Sequence, residues 1–450
     1  MNLDHRHLLI LILAAFLLLV SCREQQPTDD SQQITDNSQQ STVNNQQSTA
    51  AATRFVETAV PPTPTASPTA VYTPTPEPTP IPTATPTVTP TPTPAFPLYE
   101  GAPLNRELIG LQLHIHGEDL PQMMAHLQAL GMGWVKVQVS WKLYENAPGQ
   151  YTDRLEELDR LVDLAAANDI KVLLGVSKAP EWSRPTTELD GPPLDYDLYR
   201  QFMAFLAGRY QGRVAAYELW NEPNLQREWN GSPLSAADLV RLTAAGAAGV
   251  RAADPAAIVI SAPPATTGIN DGISAIDDRV YLRGMLEAGI ADQVDAIGVH
   301  PYGWANPPDS TVAQPDPAVP SHNNHPSFFF ADTLADYATL LDEYGVDQQL
   351  WVTEFGWGSF EGIMDDDGDP ASPPAGAEFM NNVSEWQQAQ YIPRAFELSQ
   401  QTETVGPMLL WNLNFGPLLG NEFSESGYSL LRPDSSPRPS YLSLQAAPKQ

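Results

Sequence analysis

Beyond Leu104 the chain alternates short apolar runs with amphipathic stretches, and it does so eight times. This βαβα alternation is what a parallel sheet flanked by helices requires: each strand is buried on both faces, and each helix has one face to bury. The strand candidates are residues 108–113, 134–140, 171–177, 214–220, 257–262, 294–299, 349–353 and 407–411. Between them lie helical patterns such as 154–168, where Leu155, Leu158, Leu161, Val162 and Ala165 recur at three- and four-residue steps. Eight such units predict an α/β fold, a single (β/α)8 barrel over residues 101–450. That span exceeds the ~250 residues typical of the fold, and the surplus falls in loops after strands, where barrels of this type build their sites.

A barrel gathers its strand ends on one rim whatever their separation in sequence. The segment Trp220-Asn221-Glu222-Pro223-Asn224 sets a carboxyl just past the fourth strand, and Leu350 to Trp357 sets Glu354 at the end of the seventh. Two carboxyls on a shared rim suit cleavage of a glycosidic bond, in which one protonates the leaving oxygen and the other attacks or activates water. The same rim receives Gln112, His114 and His116 from strand one, Lys136, Gln138 and Trp141 from strand two, and Lys178 and Trp182 from strand three. His300 and Tyr302 follow strand six; Trp411, Asn412 and Asn414 follow strand eight. Tryptophans offer faces to the apolar sides of sugars, and amides and carboxyls bind hydroxyls. The chain therefore reads as an enzyme acting on a carbohydrate substrate.

The first hundred residues have a different composition. Residues 8–20 form an apolar run behind Arg6, too short to span a bilayer and suited to a signal-peptide core. It ends in Leu19-Val20-Ser21-Cys22, which resembles a bacterial lipobox, and Cys22 is the only cysteine. The expectation is a leader over residues 1–22, lipidation at Cys22, and a protein held on the bacterial surface or periplasmic side by that anchor. Residues 23–100 are Gln/Ser/Thr-rich and then Thr-Pro-rich, a composition that cannot bury a core and reads as a disordered stalk. A net charge of −31 argues against nucleic acid as a partner, and the catalytic domain is expected to be monomeric.

With these residues in view, the domain resembles the clan A glycoside hydrolases, and within them the family 39 type and related cellulase-like bacterial enzymes. The resemblance runs from about Leu104 to Gln445. It rests on Gly131 to Lys136 with Trp141 and Glu145, the Pro148 to Tyr151 turn, Ala179 to Trp182, the Asn-Glu-Pro segment, Gly298 to Tyr302, Thr353 to Trp357, and Arg438-Pro439-Ser440-Tyr441. It implies a retaining mechanism without metal or organic cofactor. Glu222 resembles the acid/base, Glu354 the nucleophile, Asn221 the residue that binds the sugar 2-hydroxyl, and His300 and Tyr302 the pair near the nucleophile. Lys136 stands where many members carry arginine, which keeps the charge and loses the bidentate fork. Apolar walls and a neighbouring carboxylate lead one to expect Glu222 to be pushed toward its protonated form.

Three rival readings come from the same residues. His114 and His116 occupy the strand-one position used by amidohydrolase-type metal sites, yet strand four supplies no lysine and strand eight no aspartate. Asp365 to Asp369 suggests a calcium loop, but lacks its glycine and closing glutamate. A surface glycan-binding barrel without activity is the third. Asp277 and Asp278 read as charge at a helix N-terminus.

Overall fold

The computed structural model describes residues 98–450, residue 366 excepted. The expected leader with Cys22, and the stalk as far as residue 97, lie outside the described residues. Eight parallel strands form one sheet: β1 (Ile109–Leu113), β2 (Trp134–Ser140), β3 (Lys171–Ser177), β4 (Ala216–Leu219), β5 (Ile258–Ser261), β6 (Ile297–Val299), β7 (Leu350–Phe355) and β8 (Val405–Leu410). Their order is β5-β4-β3-β2-β1-β8-β7-β6. A bridge between Ile260 and Ala296, with the Ser261 amide donating to Ala296 O at 3.1 Å, joins the two outer strands and closes the barrel. All eight strand candidates are present, their ends displaced by a few residues.

Eight helices alternate with the strands: α1 (Leu120–Ala129), α2 (Arg154–Ala167), α3 (Tyr196–Arg209), α4 (Ala236–Ala253), α5 (Asp278–Glu287), α6 (Phe330–Tyr344), α7 (Glu385–Ser399) and α8 (Pro439–Ala446). In α2 the residues buried are Leu155, Leu158, Leu161, Val162 and Ala165, the stripe read from the sequence. A reciprocal capping box starts α7: Ser384 Oγ accepts from the Gln387 amide, and Gln387 Oε1 accepts from the Ser384 amide. Of the acidic pair at the start of α5, Asp277 caps the helix through the amides of Arg279 and Val280. Asp278 instead is fully buried and accepts from the Ser327 and Tyr337 hydroxyls.

Side chains alternate in and out along each strand. Inside the barrel, Trp134, Leu173, Ala216, Ile260, Ala296, Trp351 and Leu409 make one apolar layer. Two residues further along the strands the layer becomes polar, with Gln112, Lys136 and Glu218 all buried. Gly175 sits opposite Glu218 in register, and a Cβ there would lie 3.0 Å from both Gln138 Oε1 and Glu218 Oε1. Glycine makes room for charge.

Above the rim, the loop after β7 builds a small core of its own from Phe360, Ile363, Ala377, Phe379 and Met380, and Trp304 packs against it. Trp304 of the β6 loop stacks on His322 at 4.4 Å and meets Phe379 at 4.8 Å, so the two long loops form one wall. Arg438, at the start of α8, is fully buried and gathers that wall from below. Its guanidinium donates to Glu385 Oε1, Gly427 O and Ser359 O at 3.1, 3.0 and 2.9 Å.

Candidate active site

Glu354 lies inside β7, one residue before the strand ends, and is 8% exposed. Donors converge on it from three other strands. Lys136 Nζ of β2 donates to Oε1 at 3.1 Å, and Tyr302 Oη, beyond β6, donates to Oε2 at 3.1 Å. With its amide turned to satisfy both neighbours, Gln112 of β1 donates to Oε1 at 3.1 Å and accepts from Trp411 Nε1 at 2.9 Å. Burial alone would lower the Lys136 ammonium, but the charges of Glu218 and Glu354 outweigh it and hold the group above its ordinary value. Lys136 therefore remains a cation with no exposure.

The partner that sequence reading missed is Glu218, 2.9 Å from Lys136 Nζ and wholly buried. One ammonium with three donors spans two carboxylates on different strands. A sign of Glu218 was present in the sequence: it is the lone charge in the strand 214–220 and shares the phase of inward-facing Ala216.

Glu222 follows β4 with φ 41°, and Trp220 has φ 91°. Non-glycine residues held in left-handed backbone mark a constrained turn of the kind found at functional sites. Its two oxygens face different neighbours. His300 Nδ1 lies 3.3 Å from Oε1, and Arg227 donates to Oε2 at 2.9 Å. Burial raises the carboxyl, but the His300 contact and the Arg227 charge together outweigh burial and hold it at about 2. This corrects the expectation of a protonated Glu222: the apolar walls act as anticipated, and the His300 contact with the guanidinium five residues downstream reverses the outcome. The same His300 nitrogen is 3.9 Å from Glu354 Oε2, so one imidazole spans the gap between the two carboxyls.

The other rim residues divide. Trp411, Tyr302 and Tyr428 pack edge to face, with centroids 6.4 Å apart for Tyr302 and Trp411 and 5.7 Å for Tyr302 and Tyr428. His114 sets its ring edge-on to Phe415 at 4.8 Å, and burial, against the pull of Glu354, lowers it to about 4, so it is neutral at pH 7. His116 turns away to Glu157, 2.6 Å distant. The Nε2 atoms of His114 and His300 and the Oδ1 of Asn221 are buried without a hydrogen-bond partner. Trp141 has no face for a ligand: it is fully buried, stacked on Phe202 at 5.1 Å, and its indole donates to Glu145. Trp182 leans edge-on against it, 6.1 Å away, and donates to Glu145 O at 3.2 Å while staying partly exposed. Of the suggested calcium loop, Asp365 Oδ1 is turned onto the amides of its own loop, Asp367 and Asp369.

The Cellulase (glycosyl hydrolase family 5) model matches residues 99–384, more than half of the chain. Among solved structures, a family 39 glycoside hydrolase from the gut symbiont Bacteroides cellulosilyticus WH2 is 20% identical with a TM-score of 0.57, over 76% of this chain and 63% of that one. A glucosidase from Croceicoccus marinus is 16% identical with a TM-score of 0.53, over 77% of this chain and 68% of that one. These likenesses are of fold, and the chain spans less than two thirds of the first protein's length. No curated protein matches it.

Proposed function

The chain belongs to the cellulase family, glycosyl hydrolase family 5, and from that premise we propose that it is a retaining β-glycosidase acting on β-linked poly- or oligosaccharide. Glu354 attacks the anomeric carbon while Glu222, ionised in the free enzyme and protonated as substrate binds, gives that proton to the departing oxygen, leaving a glycosyl ester on Glu354. Glu222, now a carboxylate, takes a proton from water; that water attacks the same carbon and frees Glu354. Gln112, Lys136 and Tyr302 aim the nucleophile. The orphaned Asn221 Oδ1, with the Nε2 atoms of His114 and His300, would be satisfied by sugar hydroxyls, and Trp411 supplies an aromatic edge beside the attacking carboxyl.

The observation that carries this reading is the His300 nitrogen lying 3.3 Å from Glu222 and 3.9 Å from Glu354. Both carboxyls therefore lie beside one imidazole nitrogen, which supports the close pair, ~5–5.5 Å apart, that retention needs. The test is a panel of plant and bacterial β-linked polysaccharides with an aryl β-glycoside, following reducing ends and, by NMR, the anomer formed first. Release with the β-anomer first is expected. The α-anomer first would overturn retention, and no release on any substrate would favour the non-catalytic glycan-binding reading.

Placement on the bacterial surface through Cys22 is part of the proposal, supported by the lipobox-like sequence and the single cysteine. Cys22→Ser should move the protein from the membrane pellet to the soluble fraction with its specific activity unchanged. Retention of the variant in the pellet, as firm as that of wild type, refutes the anchor.

A further inference from the structure

The turn that carries Glu222 is pinned on both sides. Asn224, fully buried, accepts from the Ala265 amide at 2.8 Å and donates to Ala265 O and Ile276 O, both at 2.9 Å. The Gln226 amide donates to Ser274 O at 3.0 Å, and the amide of fully buried Trp229 closes the turn onto Leu225 O at 3.1 Å. With the backbone held before and after it, Arg227 has only its side chain free to move, and that side chain is 41% exposed. It lies over Glu222 and donates to Oε2 at 2.9 Å. The other N–H groups of its guanidinium have no hydrogen-bond partner among the described residues.

Oε1 of Glu222 shares the His300 nitrogen with Glu354, so Oε1 is the oxygen on the nucleophile's side and Oε2 the one turned from it. The two carboxyls flank the scissile bond, and the guanidinium on Oε2 therefore borders the place of the departing sugar. A cation there helps to hold Glu222 ionised, which works against an acid catalyst unless the departing sugar brings an anion of its own. A carboxylate can meet a guanidinium through two parallel hydrogen bonds, against the single one that Glu222 accepts.

We propose that the leaving-group side of the cleft takes a uronate, a sugar bearing a carboxylate, and that Arg227 selects it by exchanging Glu222 for the sugar carboxylate. The inference deepens the glycosidase reading and rests on Glu222 being the acid/base. On binding, the guanidinium trades one counter-ion for another, and Glu222 takes one proton from solvent, the proton it then gives to the departing oxygen. Charge and protons balance. The surroundings are otherwise acidic: Glu228 and Glu425 also act on Arg227, and the chain carries a net charge of −31. Without Arg227 a carboxylate is repelled at this place, so loss of the guanidinium should reverse the preference and not merely weaken it.

The test compares kcat/KM on β-linked polysaccharides that contain uronate residues with the same polymers after chemical reduction of their carboxyls to hydroxymethyls. Wild type should favour the acidic member of a pair by about ten- to a hundredfold, the worth of a charge-assisted contact. Mass spectrometry should find the uronate at the new non-reducing end, the end that leaves. Arg227→Met should lose that preference and turn over the reduced polymer about threefold faster or more, since Glu222 is relieved of the cation that opposes its protonation. Arg227→Lys, which keeps the charge without the fork, should retain part of the preference. An unchanged denaturant midpoint shows that the variants are folded, and the wild-type comparison decides the point if they are not. Equal rates on both members, uronate at the new reducing end, or equal losses on both in Arg227→Met overturn the selection by Arg227 and leave the glycosidase standing. No release from either member of any pair refutes the glycosidase reading and the inference with it.

Discussion

Glu354→Ala is expected to lose turnover of every β-glycoside, a fall on the order of 10⁴-fold or more, because no glycosyl ester can form. Glu222→Ala should behave differently. On substrates with poor leaving groups the loss should be about 10²–10⁴-fold, the usual worth of general acid catalysis, while an activated aryl glycoside should still form the ester. Azide then tells the two carboxyls apart. With Glu222→Ala it attacks the ester on Glu354 and gives a product of retained β configuration. With Glu354→Ala it attacks the sugar directly and gives the inverted α product. Equal losses in both variants, indifferent to leaving group and azide, would overturn the assignment of roles.

The second large effect concerns Lys136. Its ammonium is the buried cation between Glu218 at 2.9 Å and Glu354 at 3.1 Å. Lys136→Met leaves two buried carboxylates facing one another, and removing one partner of such a pair costs about 3–5 kcal/mol. The loss should appear as a lower denaturant midpoint at unchanged slope, together with a fall in kcat, since Glu354 loses one of the donors that aim it. Lys136→Met combined with Glu218→Leu should recover much of the stability, because no unpaired charge remains on β4, without recovering the activity. A Lys136→Met protein within about 1 kcal/mol of wild type would show that the buried triad is not held together by charge.

How much of this could be read from the chain depended on whether the determinant was local. The strands were legible because parallel strands buried on both faces are continuous apolar runs; β7 and β8 are buried at every residue. Glu222 and Glu354 were legible because a carboxyl at the end of such a run must reach the rim. The tryptophans were not. Trp141, Trp220 and Trp357 are fully buried packing residues, and a tryptophan near a strand end has the same local sequence whether it faces sugar or core. Glu218 required the phase of β4, and Arg227 required the path of a loop. The protonation of Glu222 required both, since the His300 contact and the Arg227 charge together decide whether burial or charge wins.

Arg438 ties the wall above the rim to a part of the chain that lies after the last barrel strand. β8 ends at Leu410, so all eight barrel strands precede residue 438 in the chain. Without that residue, Ser359, Glu385 and Gly427 lack the cation that gathers them, and Tyr428, next in the chain to Gly427, has no fixed place beside Tyr302. The strands that close the barrel and the residue that gathers its wall are thus separate stretches of sequence. The shape of the wall is set by a wholly buried cation that stands behind it.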